Sequence, residues 1–300
     1  MVLQGVSLGL ASTVAVEPGR LDRLARLKEA TGAESWSEHL AFVRGGGIEI
    51  GHLAAPPRTE ASIDGTSRNI DCAARIVGCA PLVESIATLV APPASQLDEA
   101  EWIERIVCGA SVGLLLDLHN LYANAVNFGD DPNTLLRRLP LRRVTAVHLS
   151  GGCWINGPNG ARRLLDDHLH DVPEEVLALL RELGRLAPQP LTVIIGREVL
   201  PADCEPARAA RYRPNRTGGR AGSRGMSSPA LEEFLARLYT DEPALAEFLQ
   251  MPAEAARAAG LNDAEVSALA NADHTGLVMA AASYRAKRER RKLRRRLSLW

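Results

Sequence analysis

Aromatic residues are scarce in this chain: Phe, Trp and Tyr together make up 4% of 300 residues. A hydrophobic fraction of 46% therefore rests on Ala, Leu and Val, which still suffices for a sizeable core. Cysteines are few and scattered. Cys72, Cys79, Cys108, Cys153 and Cys204 are odd in number and lack CxxC spacing, which argues against a disulfide framework or a thiolate metal site. In a reducing compartment such residues act as small buried hydrophobes. No apolar run approaches the ~20 residues that span a bilayer. The opening "MVLQGVSLGLAST" lacks the positively charged start of a secretory signal. These absences together predict a cytoplasmic protein with no membrane partner.

The chain also lacks a strong charge of either sign, with a net value of −1, but the average hides a split. Residues 205–225 carry six Arg against one Glu, and residues 285–296 carry nine Lys or Arg against one Glu. The rest of the chain is correspondingly acidic, at −14. An acidic body with a basic linker and a basic end is thus expected.

What is present is an alternation of apolar runs and helical periodicity. Strands are predicted in "MVLQGVSLGL", "AESWSEHL" (33–40), "APLVE" (80–84), "SVGLLLD" (111–117), "RVTAVHL" (143–149) and "PLTVII" (190–195). Helical patterns fall over 18–31, 59–78, 97–108, 132–139 and 173–186. Continuous apolar strands separated by helices imply an α/β fold with a parallel sheet. Without a GxGxxG turn, six such repeats suit an incomplete TIM-type (β/α) barrel, about six of eight units, better than a nucleotide-binding sheet.

After Leu200 the pattern collapses into "PADCEPARAARYRPNRTGGRAGSRGMSSP", rich in Arg, Gly, Pro and Ser. The predicted organisation is a barrel-like metal-binding domain over 1–202, a flexible linker over 203–228 and a small all-α domain over 229–300. Ser228, Asp241 and Asn262 are the expected helix caps in the last unit.

The predicted strands end on polar groups. His39 closes the second, Glu84 the third, Asp117 the fourth and His148 the fifth, and "LLDDHLHDVP" adds Asp166 and His168. Each belongs at the C-terminal mouth, where barrel active sites are built. Individually each has a plainer reading: Asp117 as a helix cap, His148 as a structural histidine, and His119, Asn120 and Asn124 as loop-bonding groups. His52, His170 and His274 are read as structural. Repetition over four successive strands favours a site, and His with carboxylates is a donor set suited to Fe, Mn or Zn.

Five motifs add a resemblance. "WSEHLAF" (36–42), "PLVES" (81–85), "LLLDLHNLYANAVNFGDDP" (114–132), "VHLSGG" (147–152) and "DDHLHDVPEEV" (166–176) together resemble the multinuclear non-haem iron-dependent oxidative enzymes (MNIO). The likeness runs in order from about residue 2 to 200. It implies a barrel holding two or three iron ions, which binds a cysteine of a ribosomally made precursor peptide and oxidises it with dioxygen. Carried over by the resemblance, the ligands are His39, Glu84, Asp117, His148, Asp166 and His168.

The chain departs from the family pattern at four points. Gln4 stands where a His is usual, Ser85 follows Glu84 where an Asn is usual, and Gly196 occupies the position of a Glu ligand, with Glu198 two residues on. The first strand resembles the family's third, so the start is expected to be truncated, or its open edge covered by a partner protein. The implied function is iron- and dioxygen-dependent modification of peptide cysteines. The alternative is a non-catalytic peptide- or partner-binding protein on a degenerate barrel. A divalent-metal barrel of the isomerase or endonuclease sort would also gather these ligands, but leaves "SEHLAF" and "LLDLHNLY" unaccounted for. The basic end "RAKRERRKLRRRL" lacks interleaved aromatics and argues for a solvated helix end rather than a nucleic-acid partner.

Overall fold

The computed structural model describes residues 2–197 and 228–297, with the side chains of 291–297 left out. Glu198, Cys204 and nearly all of the expected linker lie outside the described residues.

The first part of the chain runs β1 (Val2–Gly5), α1 (Pro18–Thr31), β2 (Ser35–His39), β3 (Phe42–Gly45), β4 (Ile48–Ala54), α2 (Glu60–Val77), β5 (Leu82–Glu84) and α3 (Glu99–Gly109). It continues through β6 (Gly113–Asp117), α4 (Leu118–Phe128), α5 (Pro132–Arg138), β7 (Val144–Leu149), β8 (Gly152–Asn156), β9 (Arg162–Asp166), α6 (Glu174–Leu186) and β10 (Thr192–Ile195). Five helices complete the described chain: α7 (Pro229–Thr240), α8 (Glu242–Gln250), α9 (Pro252–Ala258), α10 (Asp263–Ala270) and α11 (His274–Leu297).

Six strands form one parallel sheet in the order β1-β2-β5-β6-β7-β10. Leaving aside the two hairpins, each new strand is added beside the previous one and the order never reverses. A sheet wound in one direction curls toward a barrel, whereas a doubly wound sheet reverses at its middle. The fold is therefore a six-stranded half-barrel, as the alternation predicts. All six strands lie inside the predicted runs. The first is shorter than expected, because only Val2–Gly5 pairs with β2.

Local chemistry explains the helix limits. Pro18 opens α1, and Gly32 closes it in the left-handed region at φ 61°, where glycine is at no disadvantage. Thr59 and Ser62 form a reciprocal capping box at the start of α2. Ser228, Asp241 and Asn262 cap α7, α8 and α10, each side chain accepting a backbone N–H of the first turn.

Two hairpins and one helix escaped the sequence reading. β3 and β4 pair across Gly46 and Gly47, and β8 pairs antiparallel with β9. Both insert after a sheet strand, on the side of the strand C-termini. The helix is α4, which starts directly on Asp117.

Apolar side chains form two main clusters. One joins the sheet to α1, α2, α3 and α6 through Trp36, Ile70, Ile106, Leu116, Val147 and Leu183. The other joins the β3–β4 hairpin to the C-terminal helices: Phe42, Ile50 and Ala54 pack with Leu235, Phe248 and Tyr284. Buried Glu232 of α7 accepts hydrogen bonds from Ser12 Oγ and from Thr13 N at 2.6 Å, tying the helices to the loop after β1. Arg288 of α11 donates to the Ile50 carbonyl at 2.9 Å. Among the described residues, no helix is long and apolar enough to cross a membrane.

Candidate metal centre

The strand register sets the geometry. His39 is level with Glu84, and Asp117 is level with His148. The four strands that carry these residues are largely buried, so a polar residue near the C-terminal end of each emerges into the mouth of the half-barrel rather than into solvent. His39, Glu84, Asp117, His148, Asp166 and His168 all line one cavity of about 60 Å³, room for a few water-sized groups.

His39 Nδ1 lies 3.0 Å from the Gly5 carbonyl. A carbonyl only accepts, so Nδ1 carries the proton and Nε2 faces Glu84 Oε2 at 3.4 Å. Burial opposes charge on this ring, but Glu38 and Glu84 outweigh it and raise its pKa. Glu38, which the sequence reading passed over, is fully buried and accepts the backbone N–H groups of Leu8 and His39.

Asp117 has two different oxygens. Oδ1 accepts the Asn120 N–H at 2.8 Å and caps α4. Oδ2 is buried without a hydrogen-bond partner and faces His148 Nδ1 at 3.1 Å. The cap reading of Asp117 therefore describes Oδ1, while Oδ2 points into the strand-end cluster.

His148 Nδ1 also lies 3.1 Å from Glu84 Oε1. Burial works against its charge, yet Asp117 and Glu84 push its pKa up to about 10. On its other side, Nε2 faces Gly196: a Cβ there would sit 2.1 Å from Nε2 and 3.0 Å from His168 Nδ1. Glycine is what leaves these rings their places. Gln4 enters the same site, donating from Nε2 to Glu84 Oε2 at 2.8 Å.

Asp166 joins a second row. Its Oδ1 lies 3.1 Å from His119 Nδ1 and accepts from Ser150 Oγ, while Oδ2 lies 3.1 Å from His168 Nε2. Burial alone would raise the Asp166 pKa, but the two imidazoles hold it below the usual carboxylate range. His168 adopts a left-handed backbone at φ 59°, which costs a non-glycine residue roughly 1–2 kcal/mol. Its ring is thereby brought to 5.2 Å from that of His148, centroid to centroid. Buried His119, expected to bond the loop backbone, instead contacts Asp166 directly. His52, Tyr284 and Lys287 border the cavity too, and Lys287 Nζ donates to the Asp166 carbonyl at 3.3 Å.

Donor atoms of Asp117, His148 and His168 all fall within 4.8 Å of one another, close enough to share one ion. Glu84 touches His148, His39 touches Glu84, and Asp166 touches His168. All six expected residues therefore form one contiguous group. Buried Asp117 Oδ2, which meets only the geometry of an ion pair with His148, and the N/O donor set fit a transition-metal ion.

The sequence is similar to those of known proteins. A protein named "UPF0276 protein" from Streptomyces avermitilis is 34% identical over 231 residues, covering 74% of this chain and 46% of its own. The chain thus spans about half that relative's length. A Chromobacterium violaceum protein of the same name is 30% identical, covering 70% of this chain and 74% of its own. Among solved structures, a xylose isomerase domain containing protein from Salmonella typhimurium superposes with a TM-score of 0.40 at 14% identity, over 65% of this chain and 66% of that one. The family model described as "RiPP precursor modification enzyme MbnB/TglH/ChrH" matches residues 1–202, two thirds of the chain, and to that family the chain belongs.

Proposed function

We propose that the six-residue cluster is an iron centre and that the protein oxidises a cysteine of a ribosomally made precursor peptide with dioxygen. The observation that carries this reading is the convergence of three His and three carboxylates at the half-barrel mouth, with Asp117 Oδ2 buried and facing the His148 ring. His39, Glu84, Asp117, His148, Asp166 and His168 would hold the metal, and the peptide thiolate would add a soft donor that these six do not provide. When bound, iron would supply redox chemistry with dioxygen.

The chain's own groups preset the ligands. The Gly5 carbonyl fixes the His39 tautomer so that Nε2 faces inward. The Asn120 N–H holds one oxygen of Asp117 and leaves the other for the site. Ser150 and His119 orient Asp166 from behind, as outer partners do for ligands generally. A larger cavity of about 920 Å³, bordered by His39, His148, His168 and the Met279–Lys287 face of α11, would admit a peptide segment. The helices over 229–300 would then act as the wall against which the peptide lies, joined to the metal-binding part (1–202) by the linker over 203–228. A partner protein would complete the half-barrel, and a reducing cytoplasm would keep the substrate thiol free.

One observation favours a second reading, a protein that binds a peptide or partner without chemistry. Gln4 occupies Glu84, and Gly196 puts no side chain into the site. Anaerobic loading with Fe(II) followed by metal analysis separates the two. At least one iron per chain is expected, falling sharply in His148→Ala. Less than about 0.3 iron per chain, or a content unchanged in that variant, would sink the iron proposal; a ligand set this complete should otherwise load.

A further inference from the structure

A second group of donors lies in the larger cavity, away from the strand-end cluster. Cys153 sits on β8, and Asp167 and His170 lie just beyond the end of β9. One donor atom from each falls within 4.8 Å of the other two, and all three border the cavity.

We propose that Cys153, Asp167 and His170 form a second metal site, which takes a borderline-soft divalent ion of the zinc class and keeps its remaining position open to the cavity. The argument starts from the donor chemistry. A thiolate, a carboxylate and an imidazole are a mixed S/O/N set that suits Zn(II), whereas the strand-end cluster has no sulfur. Burial and the neighbouring Asp167 push the pKa of the Cys153 thiol up to about 11, so an arriving divalent ion would displace its proton. The thiolate and carboxylate together would then neutralise the ion's two charges.

The backbone holds these donors in place before any ion arrives. Gly151 O accepts the His168 N–H at 3.0 Å. A Cβ on Gly151 would meet the His170 and Asp171 carbonyls at 2.2 and 2.4 Å, so only glycine lets this loop lie flat against the start of β8. Within the loop, Asp167 accepts the Leu169 N–H at 2.9 Å and lies 2.9 Å from His170 Nδ1. The Leu169 N–H thus orients Asp167 from outside the donor group, as outer partners do in metal sites, and the Asp167–His170 contact brings two of the donors together. Three protein ligands with a free fourth position is the arrangement of zinc sites that bind an exchangeable group. Here that position faces the same cavity as His148 and His168.

The test uses the full chain, stripped of metal and titrated anaerobically with Co(II), then with Zn(II). Wild-type protein is expected to develop a thiolate-to-cobalt charge-transfer absorption that Zn(II) abolishes. Cys153→Ser should lose that band, and His170→Ala, a change at an exposed position, should weaken binding by roughly tenfold or more. Asp117→Ala and Cys204→Ser should both keep it. A band that survives Cys153→Ser, or that disappears in Cys204→Ser, overturns the proposal. Loss in Asp117→Ala would assign the thiolate to the strand-end centre and overturn it equally. Absence of any band in wild-type protein does the same, and leaves the iron centre to its own assay.

Discussion

Replacing Asp117 by Ser and, separately, by Ala divides the two tasks of its carboxylate. Oδ1 caps α4 through the Asn120 N–H at 2.8 Å, and Oδ2 faces His148 at 3.1 Å. Serine is a good N-cap, so Asp117→Ser keeps the first task and removes the second; alanine removes both. Both variants leave His148 with Glu84 as its one carboxylate partner, so that loss cancels between them. What remains is the cap, worth about 1 kcal/mol. The Asn120 N–H is buried, and leaving it unsatisfied brings the difference to about 1–3 kcal/mol. In a protein of this size each kcal/mol corresponds to about 2–4 °C in melting temperature.

Urea denaturation followed by circular dichroism reads the difference directly, and iron analysis on the same samples reads the other oxygen. The Ser variant should be the more stable of the two, while both lose iron to a similar extent. Equal stability would mean that Oδ1 is no cap. A Ser variant that loads iron like the wild type would mean that Oδ2 is no ligand, even though the helix argument stood.

Two more perturbations probe the surroundings of the site. Gly196→Ala pushes a methyl into the His148 and His168 rings, and should cost about 1–3 kcal/mol as overpacking does along with most of the iron; unchanged urea midpoint and iron content would show that the rings do not need that space. Glu232→Gln tests the tie between α7 and the loop after β1. Burial raises the Glu232 pKa above its ordinary 4.5, despite Ser12 and Thr13, so its protonated form is favoured on folding. The linked stability is present in acid and lost as pH climbs through the raised value. Wild-type urea midpoints should therefore fall more steeply toward alkaline pH than those of the Gln variant, and parallel curves would refute the linkage.

The half-barrel was legible because its inner strands β5, β6 and β7 are short, largely buried apolar runs set between helical patterns. The strand-end cluster was legible for the same reason: a carboxylate or imidazole closing such a run emerges at the mouth, where these side chains line one cavity. The β3–β4 hairpin had a signal that went unread. Gly46 and Gly47 both take positive φ, 54° and 79°, as a two-residue turn joining twisted strands requires. Helix α4 was hidden by its own polarity, since Asn120, Asn124 and Asn127 resemble loop residues. They are buried and bond outward instead: Asn120 to the Ser85 carbonyl, Asn124 to Ile86, and Asn127 to Leu164. His119 and Cys153 come close to Asp166 and Asp167 only because the β8–β9 hairpin folds back, and that separation left nothing to read. His170 lies three residues from Asp167, a spacing that was visible.

Register explains why this many ionisable groups can be buried together. Reading across the mouth, the strands end in His, Glu, Asp and His. Level pairing puts His39 beside Glu84 and His148 beside Asp117, so each imidazole meets a carboxylate. Glu84 and Asp117 are the like-charged neighbours, but Glu84 is level with Leu115, which sets Asp117 two residues higher. His148 Nδ1 bridges that step, 3.1 Å from both. A one-residue slip of any strand would send its side chains to the opposite face and leave a buried charge unpaired, at several kcal/mol. The same polar residues that would hold a metal therefore also fix how the strands align. That dual role accounts for a cluster that is internally paired before any ion is bound.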